Sequence, residues 1–449
     1  MPVYLRRIIF WLFVVSFFVI GPLLVLYTAG YRLNLKNGHV IRTGVISISS
    51  APRSASILLD GEDTQEKTTH VFKQLLPAKY TVGLEKESYI PWEGIVEVES
   101  GQTVSLQNII LFLDSEAENH FNRDIQSLSV HPSGGLLAYL VQQSGWSELW
   151  LYDLASREHQ LISQSISVTD AVEPELLWSA SGGYLALFQE GIEPNVYTAS
   201  GEILDITITA PDVSDITWHP STDHVLYIRT INGIAQHDLI SGDSAKIQET
   251  DADSISLDAS ILSLADNGSQ TEVQQIIDGE KTVLALLPSD EYTLLMRDGS
   301  FLLLRNDRDE IFLLEIHSDE PLLLRRKATS YDWLSEQNLL VYSDGTEVNI
   351  FNAYTNETTF LTRQSLVIES VLWHPIGQHI VVQDTADIQT YEYKYVAEDR
   401  FITTLLDDID VEQWWMDDAG ETLYLYGEKD GASGFYQRPL MEDTILFDL

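Results

Sequence analysis

The chain has 449 residues, of which 44% are hydrophobic and 10% aromatic, so it is long enough for two or three folded units and too apolar for a disordered protein. Its 68 acidic and 26 basic residues give a formal net charge of −42, which disfavours nucleic-acid binding because a phosphate backbone attracts clustered Lys and Arg. The absence of cysteine excludes disulfides, zinc-thiolate sites, iron-sulfur clusters and cysteine nucleophiles.

An apolar segment near the amino end, residues 8–27, reads IIFWLFVVSFFVIGPLLVLY and contains no charged residue. At about 1.5 Å per residue it matches a hydrocarbon core of roughly 30 Å, so we predict a transmembrane helix over residues 8–29 that follows a cytoplasmic segment of residues 1–7. The span begins at Ile8, Gly21 and Pro22 allow a kink, and Trp11 and Tyr27 suit the membrane interfaces. Cleavage as a signal peptide is the alternative, but residues 28–31 (TAGY) make a poor cleavage site.

The charges beside this segment do not decide its orientation, because Arg6 and Arg7 precede it while Arg32, Lys36 and Arg42 follow it. A long following domain is translocated largely regardless of nearby charge, and the span lies at the extreme amino end like an uncleaved signal anchor. We therefore predict a single-pass protein of the cytoplasmic membrane with its amino end inside and its β domains outside. The lipid bilayer is then one binding partner.

After a linker of residues 30–43, residues 44–114 change to short runs in which apolar and polar residues alternate. The runs are VISISS, SASILLDGE, AKYTVGLEKESY and GIVEVESGQTVSLQNIIL, and turn residues separate them at Asp60-Gly61, Pro77 and Gly101. Alternation of this kind predicts a compact antiparallel β-sandwich.

The order of short motifs in this stretch resembles a PEGA domain. Members of that family carry Pro-x-Gly-Ala, Asp-Gly, Pro-Gly-x-Tyr and Gly-Tyr elements, and this chain departs from them where Ser54, Ala78 and Ser88 replace glycines. The positions that match are Pro52, Ala55, Asp60, Gly61, Pro77, Tyr80 and Tyr89. The resemblance implies a surface-exposed β module of bacterial envelope proteins that contacts proteins or carbohydrates, with no catalytic residues to carry over.

Residues 125–449, which follow a linker of residues 115–124, repeat a unit in which a short apolar strand ends at a corner and returns through a polar turn as a second strand. Successive corners are 48, 40, 68, 47, 40 and 42 residues apart, and five of the six spacings fit the roughly 40–45 residues of a four-stranded propeller blade. The corners are VHPSGG at 130, WSASGG at 178, WHPSTD at 218, LLPSDE at 286, WLSEQN at 333, WHPIGQ at 373 and WMDDAG at 415.

This repeat predicts an all-β architecture after the anchor, in which the sandwich is followed by a β-propeller with seven blades favoured. The spacing of 68 residues leaves two alternatives for the segment 250–280, an inserted hairpin or a degenerate eighth blade. The corner at 178–182 (WSASG) resembles the Trp-Ser-Pro-Asp-Gly corner of TolB-like and WD40-like propellers. That resemblance implies an architecture and no specific function.

Histidine replaces the serine of this corner at His131, His219 and His374. Because the three histidines fall at equivalent corners of separate blades, they cannot easily converge on one metal ion, whose ligands lie about 2 Å from it. We interpret them as turn residues whose side chains bond nearby backbone groups.

Clusters of carboxylates are the remaining candidates for metal or acid-base chemistry. Residues 306–309 (NDRD) resemble the start of an EF-hand loop, but the sixth position is not glycine and the twelfth is not acidic. Ca²⁺ is therefore the one cofactor to consider, with Asp307, Asp309 and Glu310 as its candidate ligands. In a chain with 68 acidic residues such clusters also arise by chance, and we interpret them as solvated loops. The overall acidity suits solubility, surface-bound divalent cations or a high-salt habitat.

Aromatic residues at two places are candidates for stacking against a sugar or a peptide. Trp414 and Trp415 are adjacent, and Tyr391 and Tyr393 alternate along a predicted strand, so an exposed face there would form a platform. Packing between blades explains the same residues and is the favoured interpretation. The chain contains no Gly-x-Ser-x-Gly elbow, no phosphate-binding Walker loop and no Gly-x-Gly-x-x-Gly fingerprint.

The sequence therefore favours a non-catalytic binding or scaffold protein of the bacterial cell envelope, in which an acidic propeller is presented outside the membrane for protein or glycan contacts. The alternative is a calcium-dependent hydrolase or lyase that acts on a carbohydrate or a lactone in the propeller channel. A self-associating surface-layer component is a third possibility.

Overall fold

The structure, a computed structural model, describes residues 3–28, 30–33, 40–167, 172–204, 213–219, 221–230, 233–249, 261–277, 280–393 and 401–442. An α-helix, α1 (Val3–Thr28), begins five residues before the predicted span and contains Pro22. Its segment Arg6–Thr28 is long and apolar enough to cross a membrane and has no part buried against the rest of the chain. Within the predicted linker, β1 (Tyr31–Leu33) pairs with β2 (Val40–Arg42) in an antiparallel hairpin.

Residues 44–110 form a β-sandwich of two sheets. One sheet has the order β6-β3-β9 and the other the order β5-β4-β7-β8. The strands are β3 (Gly44–Ala51), β4 (Ser56–Leu59), β5 (Glu62–Lys67), β6 (His70–Leu75), β7 (Ala78–Glu85), β8 (Trp92–Val98) and β9 (Thr103–Ile110). The sandwich is as predicted except for one strand pairing. The first and last strands of the domain, β3 and β9, lie side by side and pair in parallel.

Alternating residues of these strands form the sandwich core. Ile46, Ile48, Ile57, Val82 and Leu84 are fully buried, while the residues between them are partly exposed. The period of two in the sequence therefore marks the two inner faces of the sandwich, as expected for sheets that each bury one face.

The remaining strands form a β-propeller of eight sheets in the described residues, which we call blades 1 to 8 in chain order. Blade 1 contains β11 (Ser127–Val130), β12 (Leu136–Gln143), β13 (Trp146–Asp153) and β14 (His159–Ile166). Blade 2 contains β15 (Glu175–Trp178), β16 (Tyr184–Gln189), β17 (Ile192–Thr198) and β18 (Ile203–Leu204). Blade 3 contains β19 (Val213–Trp218), β20 (Val225–Thr230), β21 (Gly233–Asp238) and β22 (Ser244–Glu249). The described part of blade 4 contains β23 (Ile261–Asp266), β24 (Gln270–Ile277) and β25 (Glu280–Pro288).

The second half of the ring repeats the same plan. Blade 5 contains β26 (Tyr292–Asp298), β27 (Phe301–Asn306), β28 (Glu310–Glu315) and β29 (Leu322–Lys327). Blade 6 contains β30 (Ser330–Leu334), a 3₁₀ turn (Ser335–Gln337), β31 (Leu339–Ser343), β32 (Glu347–Asn352) and β33 (Glu357–Arg363). Blade 7 contains β34 (Ile368–Trp373), β35 (His379–Asp384), β36 (Ile388–Glu392) and β37 (Ile402–Leu406). Blade 8 contains β38 (Asp410–Met416), β39 (Thr422–Lys429), β40 (Ala432–Pro439) and β10 (Glu118–Phe121).

Eight blades, the alternative left open by the long spacing, replace the favoured seven. The segment LLPSDE at 286 is the link from β25 of blade 4 to β26 of blade 5 and not a corner within a blade. The corresponding corner of blade 5 lies between β26 and β27, at Gly299 and Ser300, and carries neither Trp nor His-Pro. Residues 250–260 lie outside the described part of the chain.

The ring is closed by pairing its two ends in one sheet. β10, which precedes blade 1 in the chain, pairs antiparallel with β40 as the outermost strand of blade 8. Phe121 of β10 contacts Tyr139 and Tyr152 of blade 1 and Phe435 of blade 8, with ring centroids 4.8–5.5 Å apart. Closure therefore rests on aromatic packing as well as on strand pairing.

The sandwich is docked on the propeller and shares a core with it. Ala51, Ile110 and Phe112 of the sandwich side are buried in one cluster with residues of blades 7 and 8, among them Val381 and Leu425. The backbone N–H of Leu113 donates to the carbonyl oxygen of Leu440 over 2.8 Å. The two domains are thus joined by a hydrophobic contact and by backbone pairing.

Candidate functional site

The blade corners hold neighbouring blades together through side chains that bond the next corner. The side chain of His131 in blade 1 reaches the carbonyl oxygen of Gly182 in blade 2, with Nε2 at 3.1 Å, and its Nδ1 accepts from the Ser133 amide over 3.0 Å. A carbonyl oxygen only accepts, so Nε2 carries the proton in this arrangement. The prediction that the corner histidine bonds backbone groups is confirmed.

The same contact recurs around the ring. His374 Nε2 of blade 7 lies 3.0 Å from the carbonyl oxygen of Gly420 in blade 8, and Gln337 Nε2 of blade 6 donates to the carbonyl oxygen of Gly377 in blade 7 over 3.1 Å. His219 uses Nδ1 within its own corner, where it accepts from the amides of Ser221 and Thr222. His131, Gln337 and His374 therefore each bond the corner of the next blade, and these contacts are spread around the ring.

Burial of His374 explains its charge state. The ring is fully buried and packs against Phe112 of the sandwich side at a centroid distance of 5.9 Å. Burial lowers the pKa of His374 to about 4, and burial together with the neighbouring His374 lowers the pKa of His379 to about 3. Both rings are therefore neutral at physiological pH.

The four aromatic candidates for ligand stacking occupy different environments. Tyr391 is 3% exposed and its hydroxyl donates to Gln389, while Trp414 is 8% exposed and its indole N–H donates to Gln383. Tyr393 is half-buried with its ring edge-on to Trp373. The four rings therefore form no common platform.

Trp415 is the candidate that borders an open space, together with the edge of Trp414. It is half-buried and stacks on Tyr424 and Phe435, with ring centroids 5.7 and 5.8 Å away and planes within 18°. These stacked partners fix the position of the indole, so the wall that it provides is preformed.

The open space is a groove of about 570 Å³ between the innermost strands of blades 1 and 8. We call it the closure groove, and it is lined by residues 128–134 of blade 1, residues 413–419 of blade 8 and Tyr424. Both inner strands are sheet edges that pair on one side only, β11 with β12 and β38 with β39. The groove has the volume of an ordinary ligand pocket, about 300–1,000 Å³.

The corners of blades 1 and 8 that border the closure groove lie on the same face of the propeller as the blade 7 corner, against which the sandwich packs. The lining of the groove includes the corners of blades 1 and 8, and the sandwich packs through Phe112 against His374 and His379, which flank the equivalent corner of blade 7. A partner bound in the groove would therefore lie next to the sandwich domain.

The groove contains two carboxylates and a histidine that is hydrogen-bonded within the fold. Asp417 Oδ1 accepts from the backbone N–H of Glu421 over 2.8 Å, and Asp418 is exposed. His131 is engaged with Gly182 and Ser133, as described above. In the described part of the chain, the lining contains no Lys or Arg, so its charge is negative.

The carboxylates predicted as a possible calcium site are arranged differently from an EF-hand. Glu310 is paired with Arg325 over 2.9 Å and accepts from Asn306, and these two partners hold the pKa of Glu310 below its usual value. Asp307 and Asp309 are exposed in the turn before it. In the part of the chain that the structure describes, no three His, Asp or Glu side chains are grouped so that they could hold a metal ion.

A buried polar contact between the two domains was not predicted. Trp92 of the sandwich is 2% exposed, and its indole N–H donates to Glu392 Oε1 of blade 7 over 2.7 Å. Burial raises the pKa of Glu392 to about 7, although the bond from Trp92 lowers it. The two residues are 300 positions apart, and no local pattern in the sequence relates them.

The comparisons with known proteins bear on both domains. Residues 43–110 match the PEGA domain. The left-handed backbone of Ser54, with φ 66°, and of Ser88, with φ 68°, fits this match, because the motifs of the PEGA domain have glycine at these two positions. A search of curated protein sequences finds no match to the chain.

Solved structures similar to the chain are propellers. The C-terminal WD40 domain of Sif2 is 14% identical with a TM-score of 0.51, over 72% of this chain and 98% of that chain. The Dos1 propeller is 11% identical with a TM-score of 0.51, over 72% and 94%. Sqt1 from Chaetomium thermophilum is 10% identical with a TM-score of 0.50, over 72% and 100%. At these identities the similarity shows the fold, a WD40-like propeller beside the PEGA domain.

Proposed function

We propose that this protein is a non-catalytic scaffold of the bacterial cell envelope, anchored in the cytoplasmic membrane by α1, that binds a protein or glycan partner in the closure groove. The observation that carries the proposal is the groove itself, a preformed space of about 570 Å³. Two of its lining residues, Trp414 and Met416, also pack in the core that the propeller shares with the PEGA domain. Propellers commonly use a face of the ring for such contacts, although the fold alone fixes no partner.

The helix supports anchoring through its composition and its exposure. Exposed large apolar side chains cover α1 on all sides, for example Leu12, Phe13, Phe17 and Phe18, each at least 67% exposed. A helix that is apolar all round, with none of its membrane-length segment buried against the rest of the described chain, is suited to a lipid environment. The proposed orientation places the amino end in the cytoplasm and the PEGA domain and propeller outside.

Binding is favoured over catalysis by the state of the groove's polar groups. Asp417 accepts a hydrogen bond from the backbone of its own corner. His131 of blade 1 is hydrogen-bonded to the backbone of blade 2. A general acid or base must reach a proton of the substrate. Side chains whose hydrogen bonds are already made within the fold instead serve to shape the binding surface. The aromatic wall at Trp415 supplies contact area of the kind that interfaces favour.

Site-specific photo-crosslinking tests the binding function. Benzoylphenylalanine is introduced at Ser133, an exposed residue of the groove, or at the control position Ser241, an exposed turn residue of blade 3, in the full chain in its native membranes. We expect a discrete adduct from Ser133 and none at the same mass from Ser241, and digestion with protease distinguishes a protein partner from a glycan. The same adducts from both positions, or none from Ser133, would contradict a binding role for the groove.

A further inference from the structure

The closure groove combines an aromatic wall with an acidic rim. Trp415 forms part of the wall, and Asp417 and Asp418 follow it after Met416, at the corner of blade 8. Among the residues that the structure describes, neither a Lys nor an Arg lines the groove to neutralise these carboxylates. An aromatic face beside carboxylates is an environment that attracts an organic cation, through charge and through the quadrupole of the ring.

The negative charge extends along the same junction to the other end of β38. Glu412 is exposed on this innermost strand, next to Gln413 of the groove. Burial raises the pKa of Glu412, and the neighbouring carboxylates Asp124, Asp410 and Glu428 raise it further. These four carboxylates, grouped where blades 1 and 8 meet, add negative charge beside the groove.

We propose that the closure groove receives an extended segment of a protein partner through an arginine or lysine side chain that lies along the Trp415 wall and pairs with Asp417 and Asp418. This inference rests on the proposed binding function and names the chemistry of the partner. The stacked partners Tyr424 and Phe435 hold the indole in place, so little ordering of the wall is needed on binding. The carboxylates repel an acidic segment, so the groove prefers a basic one.

Peptide binding to the full chain in detergent tests the inference at constant ionic strength. The probe is a fluorescent peptide with the sequence Ala-Arg-Ala-Arg-Ala, and its partner probe replaces both arginines by the neutral isostere citrulline. We expect saturable binding at one site per chain, with the citrulline peptide about 10-fold weaker, which corresponds to about 1.4 kcal/mol. Fluorescence anisotropy measures both.

Paired variants separate the groove from the general charge of the chain. D417N with D418N removes the acidic rim and keeps a side-chain acceptor for the Glu421 amide. D307N with D309N changes the net charge equally at an exposed turn of blade 5. We expect the first pair to weaken binding about 5-fold and the second to leave it unchanged, since surface charges beyond a screening length contribute little.

Equal affinity for the arginine and citrulline peptides, or equal loss in the two paired variants, would overturn the inference. If Ser133 still forms its adduct under those results, the proposed binding function stands and only the preference for a cationic segment falls. A protease-resistant glycan adduct at Ser133 would also overturn the inference while supporting the proposed function. Loss of the adduct together with loss of peptide discrimination would remove both.

Discussion

The corner glycines of the propeller are required by the side chains that cross from one blade to the next. Gly182 has φ +79°, and a Cβ at this position would lie 1.9 Å from Nε2 of His131. Gly134 has a similar φ of +73° in the corner of blade 1, but nothing lies within 4 Å of its Cβ position. The two glycines therefore share one backbone conformation and differ in the inter-blade contact.

Alanine at these two positions separates the two effects. We expect G134A to lower the free energy of unfolding by about 1 kcal/mol, the ordinary penalty of a left-handed residue. We expect G182A to lower it by about 3 kcal/mol, because the His131 side chain must also move. Urea unfolding followed by tryptophan fluorescence measures the difference. Equal losses of unfolding free energy in the two variants would show that the contact of His131 with Gly182 contributes nothing to stability.

Ser54 of the PEGA domain predicts the opposite result, a stabilising substitution. Its φ of 66° lies in the left-handed region, its side chain is exposed, and no side-chain hydrogen bond of Ser54 is found among the described residues. We expect S54G to raise the stability of the PEGA domain by about 1 kcal/mol. Ser56, the first residue of β4, pairs with both neighbouring strands and is the control, because S56G should destabilise a strand. A thermal scan in which both variants are destabilised would contradict this explanation of the left-handed serine.

The buried histidines predict acid sensitivity. The folded-state pKa of His374 is about 4, below the usual value of 6.5, so its contribution to stability is fully present above pH 6.5 and is lost as the pH falls toward 4. Glu392 acts in the opposite sense, because its raised pKa of about 7 makes its contribution decline as the pH rises from 4.5 through 7.

Glutamine at position 374 isolates the histidine effect. Gln337 of blade 6 makes the equivalent contact with the next blade. H374Q should therefore keep the hydrogen bond between blades and remove the group that titrates. We expect the stability of the variant, relative to the native chain, to improve steadily as the pH is lowered from 7 to 4.5, because Glu392 is common to both proteins. Denaturation midpoints at these pH values provide the test, and parallel pH profiles would refute it.

At the scale of elements, the contact of β8 with blade 7 couples the two domains. Phenylalanine at Trp92 would keep an aromatic ring beside Phe401, 5.9 Å away, but would remove the indole donor to Glu392. We expect W92F to cost about 1–3 kcal/mol, the usual result of taking a partner from a buried polar group. Faster proteolysis between residues 113 and 117 would report the loosened domain contact.

A second tryptophan provides the matched control for this variant. Trp150 donates to Glu148 over 3.0 Å within blade 1, outside the domain contact. W150F should leave proteolysis of the segment between the domains unchanged. If both variants accelerate cleavage equally, the bond from Trp92 to Glu392 is not specific to docking.

The elements that the sequence predicts well are those with a local pattern. Alternation along β3 and β7 marks buried positions such as Ile46 and Val82, and the spacing of Trp and His-Pro corners identifies the propeller. The favoured count of seven gave way to eight, the alternative left open, because two corners carry no signal and one is imitated. Residues 250–288 contain no Trp or His-Pro corner for blade 4, the corner of blade 5 at Gly299 has neither signal, and the apolar run that ends at Pro288 imitates one. A period alone cannot distinguish a corner within a blade from a link between blades.

The site follows the same rule at a larger scale. The sequence indicates Trp415 as a candidate. It does not indicate that Trp415 lies beside residues 128–134, which are almost 300 positions earlier in the chain. The contact of Trp92 with Glu392 is equally remote in sequence. Contacts made by ring closure or by domain docking depend on the assembled fold, and a local pattern carries no information about them.

At the scale of the whole molecule, the account depends on which side of the membrane carries the propeller. The chain lacks cysteine, so a single introduced cysteine is the only target for a thiol reagent. Tyr354 of blade 6 is 88% exposed and Tyr4 of α1 is 66% exposed, which makes Y354C and Y4C suitable positions on the two sides.

Labelling of intact cells with a membrane-impermeant maleimide is therefore the most direct test. The account predicts that Y354C reacts in intact cells, that Y4C reacts only after permeabilisation, and that both full-length proteins sediment with membranes. Protection of Y354C in intact cells, or release of a shortened chain from the membrane fraction, would contradict an anchored propeller outside the membrane.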